Sequence, residues 1–348
     1  MKKKVAVIGY GGQGAWHCDK IMSSDVCLLA GTYDISEIRN EAARKNGIKV
    51  YDSVLDMLDD ASVDAVVVAT PNDVHDELAI LAMQKGKHVI CEKPVAMSVE
   101  ILDKMLECSE KTGKLFTVHQ NRRWDVDFLS VKNTIDTGLI GDTIRIESRI
   151  HGSRGIPSDW RCTKQKGGGM ILDWGVHLID QMLLLIQSKV VSVNCVTTHI
   201  TNQEVDDGFR LCLEFEDGKS ALVEVGTYNF IGMPRFYMQC KDGTLLLTDW
   251  KEPAKVSKLK AWCEKDVTPV QNAAGITKTM APRDSVTIDE ITLDIPKSDV
   301  HDFYRNFCDA MDGKQEQLVK NHQVRRVMCV MEAAFESAKQ KQTIKTDI

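Results

Sequence analysis

The chain has 348 residues, 43% apolar and 27% charged, and a formal net charge of −6, which points to about two globular domains and, with no basic block, excludes a nucleic-acid or anionic-membrane partner. No apolar run approaches the ~18 residues of a membrane span, and Met1-Lys2-Lys3-Lys4 leads into a strand, not a signal-peptide core. The eleven cysteines form no C-x-x-C pair, and Cys91, Cys108, Cys195 and Cys212 sit in apolar runs, which predicts reduced core thiols, no zinc knuckle and a cytoplasmic protein.

Val5-Ala6-Val7-Ile8 is an apolar strand, followed at once by Gly9-Tyr10-Gly11-Gly12-Gln13-Gly14 and a helical pattern. G-x-G-x-x-G between strand and helix is the dinucleotide-binding fingerprint. One glycine makes the tight turn, one lets the backbone approach a pyrophosphate, and one lets helix and strand pack closely. The phosphate charge then rests on the helix N-terminus. A second strand ends in Asp34, about 20 residues past the motif, where an acid binds the adenosine ribose. An aspartate there repels a 2′-phosphate, and Ile35 and Ser36 follow with no cation before Arg39. The expected cofactor is NAD and not NADP, held by residues 9–14 with Asp34 and Ile35.

The alternation continues. Residues 53–60 read as a helix, and 63–69 as a strand ending in the turn and cap Thr70-Pro71-Asn72-Asp73. A helix over 74–85 precedes His88-Val89-Ile90-Cys91, a short run suited to a buried parallel strand, which ends in Glu92-Lys93-Pro94. A lysine directly after such a strand sits at the carboxyl edge of the sheet, where open α/β sheets bind ligands. Pro94 removes a backbone donor and keeps Lys93 out of a helix. A helix over 98–112 and a strand over 115–118 lead into His119-Gln120-Asn121-Arg122-Arg123-Trp124. This pattern predicts a doubly wound parallel sheet, an NAD-binding domain over residues 1–123. Thr70, Pro71, Asn72, His75, Glu92, Lys93 and Gln120 fall at or just after strand ends and are expected to ring the cofactor.

Beyond Trp124 the periodicity changes. After a helix to about residue 137 come alternating strands at 143–151, 190–201, 208–215, 219–227, 236–240 and 244–247. Asp217-Gly218 and Asp242-Gly243 read as hairpin turns. Residues 124–348 are therefore expected to form an α+β domain with a mostly antiparallel sheet, closed by helices at 298–311 and 323–340. The stretch 252–295 has weak periodicity and reads as an irregular arm. Ala221-Leu222-Val223 and Leu245-Leu246-Leu247 are apolar on both parities, while few helices remain to cover the sheet. A homo-oligomer, a dimer or a multiple of dimers, is expected from that face.

Within this half lies Gly167-Gly168-Gly169, read as a mobile approach to a helix carrying Asp173-Trp174-Gly175-Val176-His177. Asp173 and His177 are four apart and share one helical face. An Asp and a His on one face beside a nucleotide suit proton transfer near neutral pH. The spacing also admits a first-turn aspartate favoured by the helix dipole with a satisfied core histidine, or a metal pair. No third or fourth ligand is evident, and no metal is expected.

Taken together, Gly9 to Gly14, Ala69-Thr70-Pro71-Asn72 with His75, Glu92-Lys93-Pro94, Arg122-Arg123, Gly167-Gly168-Gly169 and Asp173 to His177 resemble the Gfo/Idh/MocA oxidoreductase family over nearly the whole chain. The resemblance implies a Rossmann domain followed by a large open-faced sheet, and oxidation of a sugar, glycoside or cyclitol, glycoside 3-oxidation among the options. It assigns catalytic roles to Lys93, Asp173 and His177. On that chemistry NAD accepts a hydride, His177 is the general base, and Lys93 stabilises the developing alkoxide. Asp173 binds a neighbouring hydroxyl or holds Lys93 and His177 in place. Arg154, Asp159, Trp160 and Arg161, in the loop before the glycine run, are expected to form the substrate wall with Arg122. The loop at 151–166 and the arm after Trp250 match no one subfamily. The same fold includes NAD-using glycosidases, which would release no free NADH. A nucleotide-sensing subunit is a third reading, and it would need no Lys93, Asp173 or His177.

Overall fold

Five short strands rich in Val, Ile and Ala build the first sheet: β1 (Lys3–Ile8), β2 (Cys27–Tyr33), β3 (Ala65–Val68), β4 (His88–Cys91) and β5 (Phe116–Val118). The computed structural model describes residues 1–260, 269–277, 280–283 and 285–348. The strand order is β2-β1-β3-β4-β5, every pair parallel. Every residue of β3 is buried, as a parallel sheet covered by helices on both faces requires. Those helices are α1 (Gly12–Met22), α2 (Glu37–Lys45), α3 (Val54–Asp59), α4 (His75–Gln84) and α5 (Val99–Thr112). Ser53 and Ser98 accept hydrogen bonds from Asp56 N and Ile101 N, so α3 and α5 start where a hydroxyl caps the first turn.

After helix α6 (Val126–Asp136) comes the second sheet, which has nine strands among the described residues. They are β6 (Thr143–His151), β7 (Val190–Thr198), β8 (Gly208–Phe215), β9 (Ser220–Gly226), β10 (Phe236–Cys240), β11 (Gly243–Leu247), β12 (Lys255–Leu259), β15 (Ile288–Thr292) and β16 (Ile344–Lys345). All pair antiparallel except β6 with β9. A small hairpin, β13 (Val270–Asn272) and β14 (Gly275–Thr277), stands apart. The expected irregular arm is thus corrected: β12 pairs with β11 and β15 with β12, extending the sheet. Its periodicity is weak because these two strands at the end of the sheet are half-exposed and carry few apolar residues. Residues 261–268, 278–279 and 284 of that stretch lie outside the described residues.

One face of this sheet is core. Leu211, Leu213, Val223, Val225, Met238, Leu245 and Leu247 are buried, and α7 (Val176–Leu185) and α9 (Asn321–Gln340) pack on this sheet. The cross-strand register places Arg145, Glu147, Arg210 and Glu224 on the other face, beside Leu222, Tyr237 and Leu246. That face is more polar than the leucine runs suggested. It also carries Cys212, which is exposed, contrary to the expected core thiol, because strand alternation turns it away from Leu211 and Leu213. Cys91 and Cys195 are buried and Cys108 is half-buried. The last two helices, α8 (Asp302–Met311) and α9, reach back to the first sheet: Tyr304 bonds His17 of α1, and α9 packs on α5 and β5. Among the described residues no helix is long and apolar enough to cross a membrane.

Candidate active site

β1 runs directly into the glycine motif. Gly9 has φ +96°, and a Cβ there would lie 2.5 Å from the Ala69 carbonyl oxygen; at Gly14 it would lie 2.0 Å from Gly9 O. These two glycines are needed for loop, helix and β3 to meet. Gly12 faces open space, and α1 starts without a side-chain cap, so its first N–H groups are available to an anion. They open onto a cleft of about 640 Å³. Gly11, Gly12, Gln13, Thr70, Pro71 and Asn72 line one part of it, and Lys93, Arg122, Asp173 and His177 another. The Thr70 hydroxyl is buried without a hydrogen-bond partner. This cradle fits the pyrophosphate of a nicotinamide dinucleotide.

Asp34 is buried at the end of β2, where its carboxylate accepts hydrogen bonds from Tyr10 N at 2.7 Å and Ser36 N at 2.9 Å. The expectation of an acid without a nearby cation is corrected. The first turn of α2 brings the Arg39 guanidinium to 3.3 Å from Asp34 and onto the wall of the cleft. Of the residues expected around the cofactor, Gly9, Tyr10, Gly14, Asp34, Ile35, His75 and Gln120 do not line the cleft. Ile35 is 93% exposed. Tyr10 is buried, its hydroxyl accepting from Asn46. His75 is buried between the carbonyls of Thr70 and Pro94, where it braces the loop.

Lys93, at the end of β4, donates from Nζ to Asp173 Oδ1 at 3.0 Å and to the Asp173 carbonyl at 2.9 Å. Asp173 Oδ2 accepts from Arg161 Nε at 2.9 Å, and Arg161 also bonds Asp159 at 2.7 Å. Burial opposes charge on Asp173, but the Lys93 and Arg161 cations outweigh it and hold the carboxyl below its ordinary value. His177 is buried at the cleft wall with Nδ1 3.3 Å from Gln120 Oε1. Burial, then the charges of Lys93 and Arg122, push its pKa well below the usual histidine range. Asp173 therefore holds Lys93, whereas the described partner of His177 is Gln120, which is buried and does not line the cleft.

The segment carrying these groups is irregular. Ile171–Gly175 forms a π-turn that continues into α7. Asp206 accepts the Ile171 N–H at its start, and burial raises the Asp206 pKa to about 7. The glycine run before it is buried. Gly167 and Gly169 have φ +74° and +104°, and a Cβ on Gly168 would lie 2.3 Å from Arg161 O. The run lets the Arg161 loop pack directly against the start of the π-turn.

Glu92 lines the cleft, and its carboxylate anchors a network that sequence reasoning missed. Glu92 Oε1 lies 2.8 Å from His17 Nε2 and from His119 Nδ1, and 3.1 Å from Gln13 Nε2. Tyr304 Oη lies 2.6 Å from His17 Nδ1. Burial opposes the charge, but the His119 and His17 contacts hold Glu92 ionised. The three groups have metal-ligand chemistry, yet each is satisfied by another, and the network ties the Lys93 strand to the glycine motif. Trp174 also lines the cleft, with the Arg122 guanidinium 4.1 Å over its ring. Trp160 and Arg161 line it too, while Arg154 lines a neighbouring cavity.

Comparison with known proteins agrees with this geometry. Residues 3–120 match the pattern described as "Oxidoreductase family, NAD-binding Rossmann fold", and residues 128–246 the Gfo/Idh/MocA C-terminal domain. The chain belongs to the Gfo/Idh/MocA family and is an NAD(P)-binding oxidoreductase. A solved NAD-binding protein from Listeria innocua is 42% identical over 99% of both chains, with a TM-score of 0.95. The scyllo-inositol 2-dehydrogenase (NADP(+)) IolW of Bacillus subtilis is 28% identical, covering 98% of this chain and 95% of its own. The myo-inositol 2-dehydrogenase of Thermotoga maritima is 28% identical over 64% of this chain and 67% of its own.

Proposed function

We propose that the protein is an NAD-dependent dehydrogenase that oxidises a secondary hydroxyl of a cyclitol, sugar or glycoside. The observation that carries this reading is the pairing of Lys93 with Asp173 beside the buried His177 at the cleft wall. When bound, NAD supplies the hydride acceptor. Lys93, oriented by two bonds to Asp173, donates to the reacting oxygen and stabilises its developing charge. With Nδ1–H directed at Gln120 Oε1, the Nε2 lone pair of His177 takes the hydroxyl proton. Asp173 and Arg161 present further polar atoms to neighbouring hydroxyls. Asp34 selects NAD through the ribose hydroxyls, with Arg39 beside it limiting that preference. Relatives named as inositol dehydrogenases favour a cyclitol or similar ring.

We assign cofactor binding to residues 1–123 and substrate binding and oligomerisation to residues 124–348. The outer face of the nine-stranded sheet is the surface we assign to a symmetric dimer or a multiple of dimers. Free cysteines, ten of them among the described residues, suit a cytoplasmic protein. The test is to screen cyclitols, sugars and glycosides with purified protein and NAD or NADP, following reduced nicotinamide by absorbance. Reduction of NAD by at least one such ring alcohol is expected. Aglycone release without net reduction would show the glycosidase chemistry instead.

A further inference from the structure

A second cavity of about 540 Å³ adjoins the cleft, a size within the range of small-molecule sites. Arg161, Asp173 and Trp174 line both spaces, so the two meet at the carboxylate that holds Lys93. A single ring whose hydroxyl meets Lys93 and His177 leaves this second space unfilled. Its walls are largely apolar, with Ile150, Pro157, Met170, Val225 and Trp250 among them. Trp250 is 38% exposed and stands 5.7 Å from Trp174 at 53°. Exposed indole is costly in water and is a ready platform for a ring. His151, on the same wall, is already engaged with Glu224 at 3.2 Å. Much of the wall comes from residues 151–157 and Trp250, outside the motifs shared with the family.

We propose that this cavity is a subsite for the second ring of a glycoside, with Trp250 as its stacking platform. The reacting ring sits at Lys93 and His177, and the aglycone passes Asp173 to lie on Trp250 beside Trp174. The proposal rests on the dehydrogenase reading for the place of the reacting ring. The apolar wall favours a ring over a phosphate, for which exposed Arg154 would be the recognising group.

The test is a calorimetric titration of the protein, with NAD present, using matched phenyl and methyl glucosides and galactosides in both anomers. For at least one series the phenyl glycoside should bind about tenfold or more tightly than its methyl counterpart, the scale of aromatic stacking. Trp250→Ala should bring that ratio to within about threefold of unity, while Trp250→Phe keeps most of it. Because the readout is a ratio within one variant, general loss of folded protein cancels. Phenyl and methyl glycosides that bind alike, or that do not bind at all, overturn the proposal, as does a ratio that survives Trp250→Ala. A preference for glucose 6-phosphate over glucose that Arg154→Ala abolishes, with no phenyl preference, would assign the space to an anion and also overturn it. Turnover is read separately. A phenyl preference without any reduced nicotinamide would leave the subsite standing and remove the dehydrogenase reading. Reduced nicotinamide from cyclitols with no phenyl preference would do the reverse.

Discussion

Replacing His177 by alanine should remove the base and leave the rest of the site in place. The ring is 4% exposed and its one described hydrogen bond, to Gln120, is long at 3.3 Å, so its loss from the fold costs little beyond packing. Its role in proton transfer is worth far more. A positioned base contributes about 10²–10⁴ in rate, or roughly 3–5 kcal/mol of barrier. The sign of the pH effect follows from its environment. Burial and the charges of Lys93 and Arg122 disfavour the imidazolium, so the active, neutral form exists above a pKa that lies below 6.5. The wild-type kcat/KM profile should therefore fall only on the acid side of that value. Initial rates of nicotinamide reduction across pH, over a range of concentrations of the substrate identified in the screen, give kcat and kcat/KM and so measure both effects. His177→Ala should lose about 10²–10⁴ in kcat and should lose the acid limb with it. Near-normal kcat, or an acid limb that persists unchanged, would refute this assignment.

Lys93→Ala should cut kcat by at least about 10², while Asp173 stays paired with Arg161; turnover within a few-fold of wild type would remove Lys93 from the chemistry. Asp34→Asn, which can still accept the Tyr10 N–H, should weaken NAD binding by about 1–3 kcal/mol and narrow its preference over NADP. Equal use of both nucleotides by the wild type would contradict Asp34 as selector. Asp206 has a folded pKa of about 7 against an ordinary 3.8, so the folded state holds its proton more tightly. Its contribution to stability is complete below about pH 4 and is lost as pH rises to about 7, a fall of roughly 4 kcal/mol. Urea unfolding should show that decline in the wild type and a flatter one in Asp206→Asn, which keeps the acceptor for Ile171 N; parallel curves would refute it. Light scattering should give at least a dimer, and a stable monomer near 38.9 kDa at micromolar concentration would sink the oligomer.

The parallel sheet was legible because it is written in local pattern. The apolar runs of β1, β3 and β4 are too short for helices and each ends in a turn signal, so Lys93 could be placed at a strand end from neighbours alone. Much of the second sheet was legible for the same reason, through alternation and the Asp-Gly turns. What escaped depends on contacts between distant segments. His17 and Tyr304 come from α1 and α8, Glu92 and His119 directly follow β4 and β5, and no spacing relates the four. Arg39 lies in the first turn of α2, a helix so polar that its apolar period is faint; only its return to Asp34 makes it part of the site. The glycine run was visible, but its reason was not. A Cβ on Gly168 meets the Arg161 carbonyl, a partner several residues earlier that only folding brings close. The strands β12 and β15 were missed because half-exposed strands at the end of a sheet do not need strict alternation.

Isotope transfer tests the central claim most directly. Ring alcohols perdeuterated on carbon, spanning cyclitols, sugars and glycosides, are incubated with the protein and NAD, and the recovered nicotinamide is weighed by mass spectrometry. If the cleft carries hydride from a secondary alcohol to the nucleotide, the reduced nicotinamide gains one deuterium from at least one substrate, and Lys93→Ala and His177→Ala suppress that gain. Recovery of the nucleotide unreduced with every ring alcohol would contradict the account.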